Sequence, residues 1–316
     1  MDEIERIERR VKLHDVRVLM SVVQAGSMNK AAERLGTSQP AVSRAISDLE
    51  HAFGVRLLDR SPIGIEPTQC GRAIIQRGLA VFDELRQGFK DVEFLTDPTA
   101  GELRIGCTEH AAAGPVLAVV DRLTRRHPRM AFEVVTAGAL AVCRDLTERR
   151  VEIAIMGIYP DEEDREIENF AIENLYDNER VVVAGKQNPW TRRRRIELAE
   201  LVNEPWTLPP PETTLGEFAA RVFRASGLRP PRATVVTLSR ALRDKLLATG
   251  RYLTILPNYT FMPPAKGASL KPLPVTLPNA RGTVAVLTLK NRTLTPLAEL
   301  FIKTYRAITM PLPKAR

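Results

Sequence analysis

One segment constrains this chain more than any other: residues 27–60, SMNKAAERLGTSQPAVSRAISDLEHAFGVRLLDR. It holds two short helical patterns around a glycine turn. Asn29 is a good N-cap for a helix over Lys30–Leu35, which stops at Gly36. Ser38 can cap the next helix, with Pro40 in its first turn, where no backbone N–H is required. Val42, Ile46 and Leu49 then form one buried stripe, and the short connection makes the pair a helix-turn-helix. Upstream, Leu13, Val16, Leu19, Met20 and Val23 recur at helical spacing, predicting a helix over 13–26 closed by Gly26. Downstream, Val55–Arg60 and Ile65–Thr68 read as short strands around a turn at Ser61–Gly64, a small wing.

The buried stripe leaves Gln39, Pro40, Ser43, Arg44 and Ser47 on the open face. That face is short, polar and singly basic, which suits a major groove. Arg44 is expected to read a guanine edge or grip phosphate, and Gln39 to pair with adenine or with phosphate. Asn29, Lys30, Ser38 and Ser43 are natural phosphate contacts, helped by helix N-termini, and Arg60 on the wing reaches the adjacent backbone. Taken alone, the same face also suits a solvated surface of an ordinary bundle. Net charge does not decide between them. The +8 total leaves residues 1–70 neutral, so local placement carries the DNA assignment.

The run AAERLGTSQPAVSRAISDLEHAFGVRLLDRS resembles the DNA-binding domain of the LysR-type transcriptional regulators. The resemblance rests on Ala31-Ala32, Leu35, Ser38 through Ser43, Ile46, Leu49-Glu50, Gly54-Val55, Leu57-Leu58 and Arg60, with Thr68 and Gly71 closing the wing. Weaker likeness continues in LRIG at 103–106, TRRRRIELAEL at 191–201, KLLATGRYLTILP at 245–257 and LTPLAELFIKTYRA at 294–307. It implies a winged helix-turn-helix over 1–68, a long dimerising linker helix over 69–96, and a two-lobed α/β effector domain of periplasmic-binding-protein type over 101–316. Lobe I would comprise 101–174 and 280–316, and lobe II 175–275. The resemblance also implies a homodimer or homotetramer on double-stranded promoter DNA, acting as activator, repressor or both.

The residues themselves support a similar division. Ile75, Leu79, Phe82, Leu85, Phe89 and Val92 make a near-heptad seam, suited to a helix–helix interface or to packing on the helix's own domain. Asp97-Pro98 reads as a hinge. From Glu102 strands and helices alternate, predicting a parallel sheet covered on both faces. Its strands are Glu102–Gly106, Ala131–Thr136, Glu152–Met156, Arg180–Ala184, Trp206–Leu208, Ala233–Thr237, Tyr252–Ile255 and Gly282–Leu289. Pro263–Pro278 reads as loop.

Ligands of open α/β sheets sit at the carboxyl ends of strands. Those ends offer Thr108, Glu109, His110, Thr136, Gly138, Pro210, Thr213, Thr237, Ser239 and Pro257 as effector-binding candidates, or as plain turn and cap residues. Hydroxyls and helix N-termini favour a carboxylate or a phosphate, such as an organic acid, whereas Glu109 leaves a sugar or amine-bearing metabolite open. Cys107, at a strand end, could sense oxidants with a lowered pKa or serve as a small buried hydrophobe. Arg192–Arg195 could meet DNA or a partner, or form a solvated turn.

Other classes fit less well. No run approaches the ~20 apolar residues of a membrane span, and the mixed charges of Met1–Lys12 are not a secretory signal, so a cytoplasmic protein is expected. Three scattered cysteines (Cys70, Cys107, Cys143) and four histidines give neither a disulfide framework nor metal-ligand spacing, and no cofactor is expected. A solute-binding transport component shares the architecture of 100–316, but the fused DNA-binding unit counts against it. An enzyme would need a nucleophile–base arrangement, a G-x-S-x-G or a P-loop, and none is present.

Overall fold

The glycines foreseen as helix stops do end the N-terminal helices. In this computed structural model, which describes residues 10–61, 64–159, 167–261 and 269–309, helix α1 (Leu13–Ala25), α2 (Met28–Leu35) and α3 (Gln39–Phe53) each close on a left-handed glycine. Gly26, Gly36 and Gly54 have φ of 66°, 62° and 68°, a region that disfavours side chains with a Cβ. The chain divides into two units, Met1–Gly88 and Phe89–Arg316.

In the first unit Val18, Leu19 and Val22 of α1, Ala31 and Ala32 of α2, and Val42, Ile46 and Leu49 of α3 share one core with Leu57 and Leu58. Helix α2 starts at Met28 with Ser27 at the N-cap, so Asn29 lies inside the first turn and is not the cap. Met28 is buried in this core, which draws its backbone into the helix earlier than the cap pattern suggested. Ser38 does cap α3, its Oγ accepting from the Ala41 N–H at 3.4 Å. Strands β1 (Leu58–Ser61) and β2 (Gly64–Pro67) pair antiparallel as the wing. The first wing strand begins at Leu58 and not Val55, because Glu50 Oε1 accepts from the N–H groups of Leu57 (2.7 Å) and Leu58 (3.2 Å) and ties this segment to α3. Residues 62 and 63 of the wing turn lie outside the described residues.

Helix α4 (Gln69–Thr96) divides the near-heptad seam. Ile75 and Phe82 pack on the core of the first unit, and Leu79 is half-buried. Leu85, Phe89 and Val92 are exposed, Phe89 to 74%, and Val81 and Leu95 extend the same apolar surface. The seam therefore serves its own domain in its first half and lies open in its second.

The second unit contains β3 (Ala100–Cys107), α5 (Leu117–Arg126), β4 (Arg129–Thr136), α6 (Ala139–Thr147), β5 (Ile153–Ile158) and β6 (Phe170–Gly185). There follow β7 (Trp206–Leu208), α7 (Thr214–Ala225), β8 (Ala233–Val236), α8 (Arg240–Ala248), β9 (Leu253–Pro257), β10 (Leu270–Pro272), β11 (Arg281–Leu289) and α9 (Pro296–Thr309). Helix α5 begins at Leu117, after an irregular turn kinked at Gly114, whose φ is −118° and ψ −109°. Strand β10 lies within the Pro-rich stretch expected to be loop.

Lobe I is the sheet β4-β3-β5-β11-β6, and lobe II continues through β6-β9-β7-β8. The expected all-parallel sheet is corrected: β11 runs antiparallel to β5 and β6, and β6 antiparallel to β9. The reason is connectivity. The chain leaves lobe I along β6 and returns from lobe II, so its return strand must start at the lobe boundary and run the opposite way. The first ten residues of β6 escaped the sequence reading because Glu173, Asn174, Asp177 and Asn178 hide the strand pattern that pairing with β11 imposes. Leu175 belongs to the lobe I core, and Leu277 and Ala280 to that of lobe II. Along β6 the pairing passes from β11 at Glu179 to β9 at Arg180, and β11 begins at Arg281. The Arg180 N–H donates to the Ala280 carbonyl (2.9 Å) at that point.

Candidate functional site

Two sites emerge, one in each unit. On α3 the buried residues Val42, Ala45, Ile46 and Leu49 occupy one arc. Gln39, Pro40, Arg44 and Ser47 are exposed on the other, Ser43 is half-buried between them, and Ser38 is exposed at the helix start. Asn29 and Lys30 are exposed in the first turn of α2. Arg60 lies on β1, where its backbone pairs with Ile65; its side chain lies outside the described residues. The wing is held by Thr68, whose Oγ1 donates to the Arg56 carbonyl (2.9 Å) and accepts from the Gly71 N–H (3.0 Å). A Cβ on Gly71 would lie 2.0 Å from the Leu57 carbonyl oxygen, so this close approach of α4 to the wing demands glycine.

In the second unit a cavity of about 520 Å³ opens between the lobes. Seven of the ten candidates line it: Thr108, Glu109, His110, Thr136, Gly138, Thr213 and Pro257. They stand at the carboxyl ends of β3, β4 and β9 and at the start of α7, as sheet geometry requires. Pro210, Thr237 and Ser239 do not line it. The Pro210 carbonyl accepts from Thr213 N–H and Oγ1 (3.0 and 2.6 Å), Thr237 Oγ1 accepts from the Ser239 N–H (3.1 Å), and Ser239 Oγ accepts from the Leu242 N–H (3.3 Å). These three shape the turn and cap the helix, while their neighbours Pro209 and Leu238 face the cavity.

The sequence reading missed the cations. Arg180, on β6 at the lobe exchange, is 4% exposed, and Arg243, on α8, is 3% exposed. Both line the cavity, as does Arg144. The Arg180 guanidinium lies 3.5 Å from the centroid of the Tyr159 ring and 4.3 Å from that of Phe218. It is thus stacked between a lobe I ring and a lobe II ring. Tyr159 reaches that position across Gly157 and Gly282, where a Cβ would fall 2.9 and 2.6 Å from its ring, and its Oη accepts from Asn178 Nδ2 (2.6 Å). One signal could have revealed Arg243: it sits four residues before Leu247, on the buried stripe of α8 where a charge has no ordinary place.

Electrostatics follow from this crowding. Burial, then the positive charges of Arg240, Arg243 and Arg180, hold the His110 imidazole well below its ordinary pKa and keep it neutral. Burial also lowers the Arg243 pKa, against the pull of the Glu109 and Asp244 carboxylates. Arg240 is paired to Asp244, Nε to Oδ2 at 3.3 Å. Cys107 is fully buried, and burial pushes its thiol up to about 12, which removes the thiolate that oxidant sensing needs. The Arg192–Arg195 run is partly paired on the lobe II surface, Arg193 with Glu200 and Arg195 with Glu197. Among the described residues no His, Cys, Asp and Glu group could hold a metal, and no helix is long and apolar enough to cross a membrane.

Residues 13–72 match the bacterial regulatory helix-turn-helix proteins of the lysR family, and residues 96–308 match the LysR substrate binding domain. The HTH-type transcriptional regulator GbpR of Azospirillum brasilense is 25% identical over 330 residues, spanning 98% of this chain and 92% of that protein. YdcI, an uncharacterized HTH-type transcriptional regulator of Escherichia coli K12, is 23% identical over 306 residues, spanning 97% and 98%. Among solved structures, a full-length OxyR variant from Pseudomonas aeruginosa superimposes with a TM-score of 0.65 at 19% identity, covering 95% of this chain and 96% of that one. Full-length CbnR complexed with its target DNA gives 0.52 at 18% identity, covering 94% and 99%. The structural likenesses carry the fold; the two sequence-family matches, which between them take in both units, establish that this chain belongs to the LysR family of bacterial helix-turn-helix regulators.

Proposed function

We propose that this regulator reads promoter DNA with residues 38–47 of α3, steadied by Asn29, Lys30 and the wing Arg60, and that a small metabolite between the lobes changes its grip. The observation that carries this reading is the ligand-sized cleft built from both lobes of the second unit, on a chain whose first unit presents the exposed polar face of a winged helix-turn-helix. The exposed half of the α4 seam supports a homo-oligomer, as isologous dimers bury such stripes against a second copy. Action on DNA is the reason for reading its site of action as the cytoplasm. By linkage, whatever the ligand does to the DNA complex, DNA does equally to ligand affinity.

The test is binding of purified protein to its own upstream intergenic DNA and to a scrambled duplex across a salt series, with Ser43→Ala and Arg44→Ala alongside. The expected result is preference for the upstream DNA, lost in both variants. Equal, purely salt-sensitive binding of all three proteins to both duplexes would mean phosphate contact only and would overturn the assignment of α3.

A further inference from the structure

The cleft says more than that a ligand fits. Arg243 is 97% withdrawn from solvent, faces the cleft, and has Nε and Nη1 in no hydrogen bond among the described residues. A guanidinium so placed is costly unless an anion pairs with it, and arginine's planar fork matches a carboxylate. Arg180 lines the same cavity, its guanidinium fixed by the Tyr159 and Phe218 rings. Among the described residues the charged side chains lining the cleft are Arg144, Arg180 and Arg243 with Glu109 and Glu212, an excess of one positive charge. His110, neutral, adds none. One negative charge on the ligand balances this wall. Leu140, Leu215 and Leu238 give the same cavity apolar surface.

Resting on the reading of this cleft as the effector site, we propose that it takes a monocarboxylate with an apolar body. Arg243, with Arg180 lining the same cavity, holds the carboxylate, and Leu140, Leu215 and Leu238 cover the body. Glu109, whose charge already acts on Arg243, is the internal anion with which the ligand competes.

The test is isothermal titration of the full chain with hexanoate and phenylacetate, their uncharged amides, acetate and inorganic phosphate. Hexanoate or phenylacetate is expected to bind at least about tenfold tighter than its amide, as a charged hydrogen-bonded pair is lost in the amide, and tighter than acetate or phosphate. Arg243→Gln is expected to weaken the carboxylate by about 10- to 150-fold and leave the amides unchanged. Glu109→Gln is expected to tighten it. Amides binding as well as their acids, acetate or phosphate matching the longer acids, no binding by any of them, or an Arg243→Gln protein with undiminished carboxylate affinity would each overturn the proposal. Should Arg243→Gln not fold, the acid–amide comparison on the unaltered chain decides. Promoter preference is measured separately, so a regulator that reads its DNA and binds the amides as tightly as their acids refutes the carboxylate while keeping the proposed function.

Discussion

Lys90→Met should unsettle the second unit out of proportion to its partly exposed position. Lys90 Nζ pairs with Glu152, whose side chain is 6% exposed and whose Oε2 accepts from Thr295 Oγ1 at 3.0 Å. Thr295 in turn accepts from the Ala298 N–H in the first turn of α9, and Arg292 donates to the backbone carbonyls of Val151 (3.0 Å) and Glu152 (3.3 Å). One buried carboxylate thus joins α4, the start of β5 and the start of α9. Exposed ion pairs contribute about 0.2–1 kcal/mol, whereas orphaning a buried charge costs about 3–5 kcal/mol. Lys90 retains 20% side-chain exposure, and Glu152 keeps its Thr295 bond, so the expected loss is about 2–3 kcal/mol. Both tryptophans, Trp190 and Trp206, lie in this unit, so fluorescence-monitored urea unfolding follows it selectively. The double variant Lys90→Met/Glu152→Met should recover most of the loss, because it removes the orphaned charge. A single-variant loss under ~1 kcal/mol, or a double variant as unstable as the single, would refute the argument.

Gly71→Ala should cost at least about 2 kcal/mol and abolish promoter binding, because its Cβ meets the Leu57 carbonyl and must push the wing away; circular dichroism melting and a DNA titration check both. His110 is buried neutral, so below about pH 6.5 the unfolded chain takes up a proton that the folded one refuses. Stability should therefore fall with pH from there down to the depressed folded pKa, by about 1.4 kcal/mol per pH unit, and His110→Gln should remove that component in urea titrations across pH. A thiol reagent should label exposed Cys70 first, half-buried Cys143 more slowly and Cys107 only on unfolding, which mass spectrometry of digests reads directly. Phe89→Glu together with Leu95→Glu should shift the assembly toward smaller species in sedimentation, since both are exposed on the open half of the α4 seam.

Local rules were legible and long-range ones were not. Gly26, Gly36 and Ser38 announced helix limits because caps act within a few residues. Asn29 misled because the demand came from the buried side chain of Met28. Strand-end loops could be placed from alternation alone, so Thr108, Thr136 and Pro257 were found. Arg180 and Arg243 were not, since their significance depends on Tyr159, Phe218 and Glu109, distant in the chain. The antiparallel return of β11 was equally invisible, because strand direction is fixed by a partner more than a hundred residues away.

The placement of β11 also bears on how the protein is made. Among the strands of the lobe I sheet it leaves the ribosome last, yet it lies between β5 and β6, inside the sheet and not at its edge. Until residue 289 emerges, β5 and the first half of β6 have no β11 between them, and lobe I waits with two open edges while lobe II, closed by Ala280, can already pack. The helix-turn-helix and its wing are in hand some two hundred residues earlier. During each round of synthesis there is an interval in which the DNA-binding unit is complete and the effector unit is not, and a chain stopped in that interval would carry a reading head with no finished sensor.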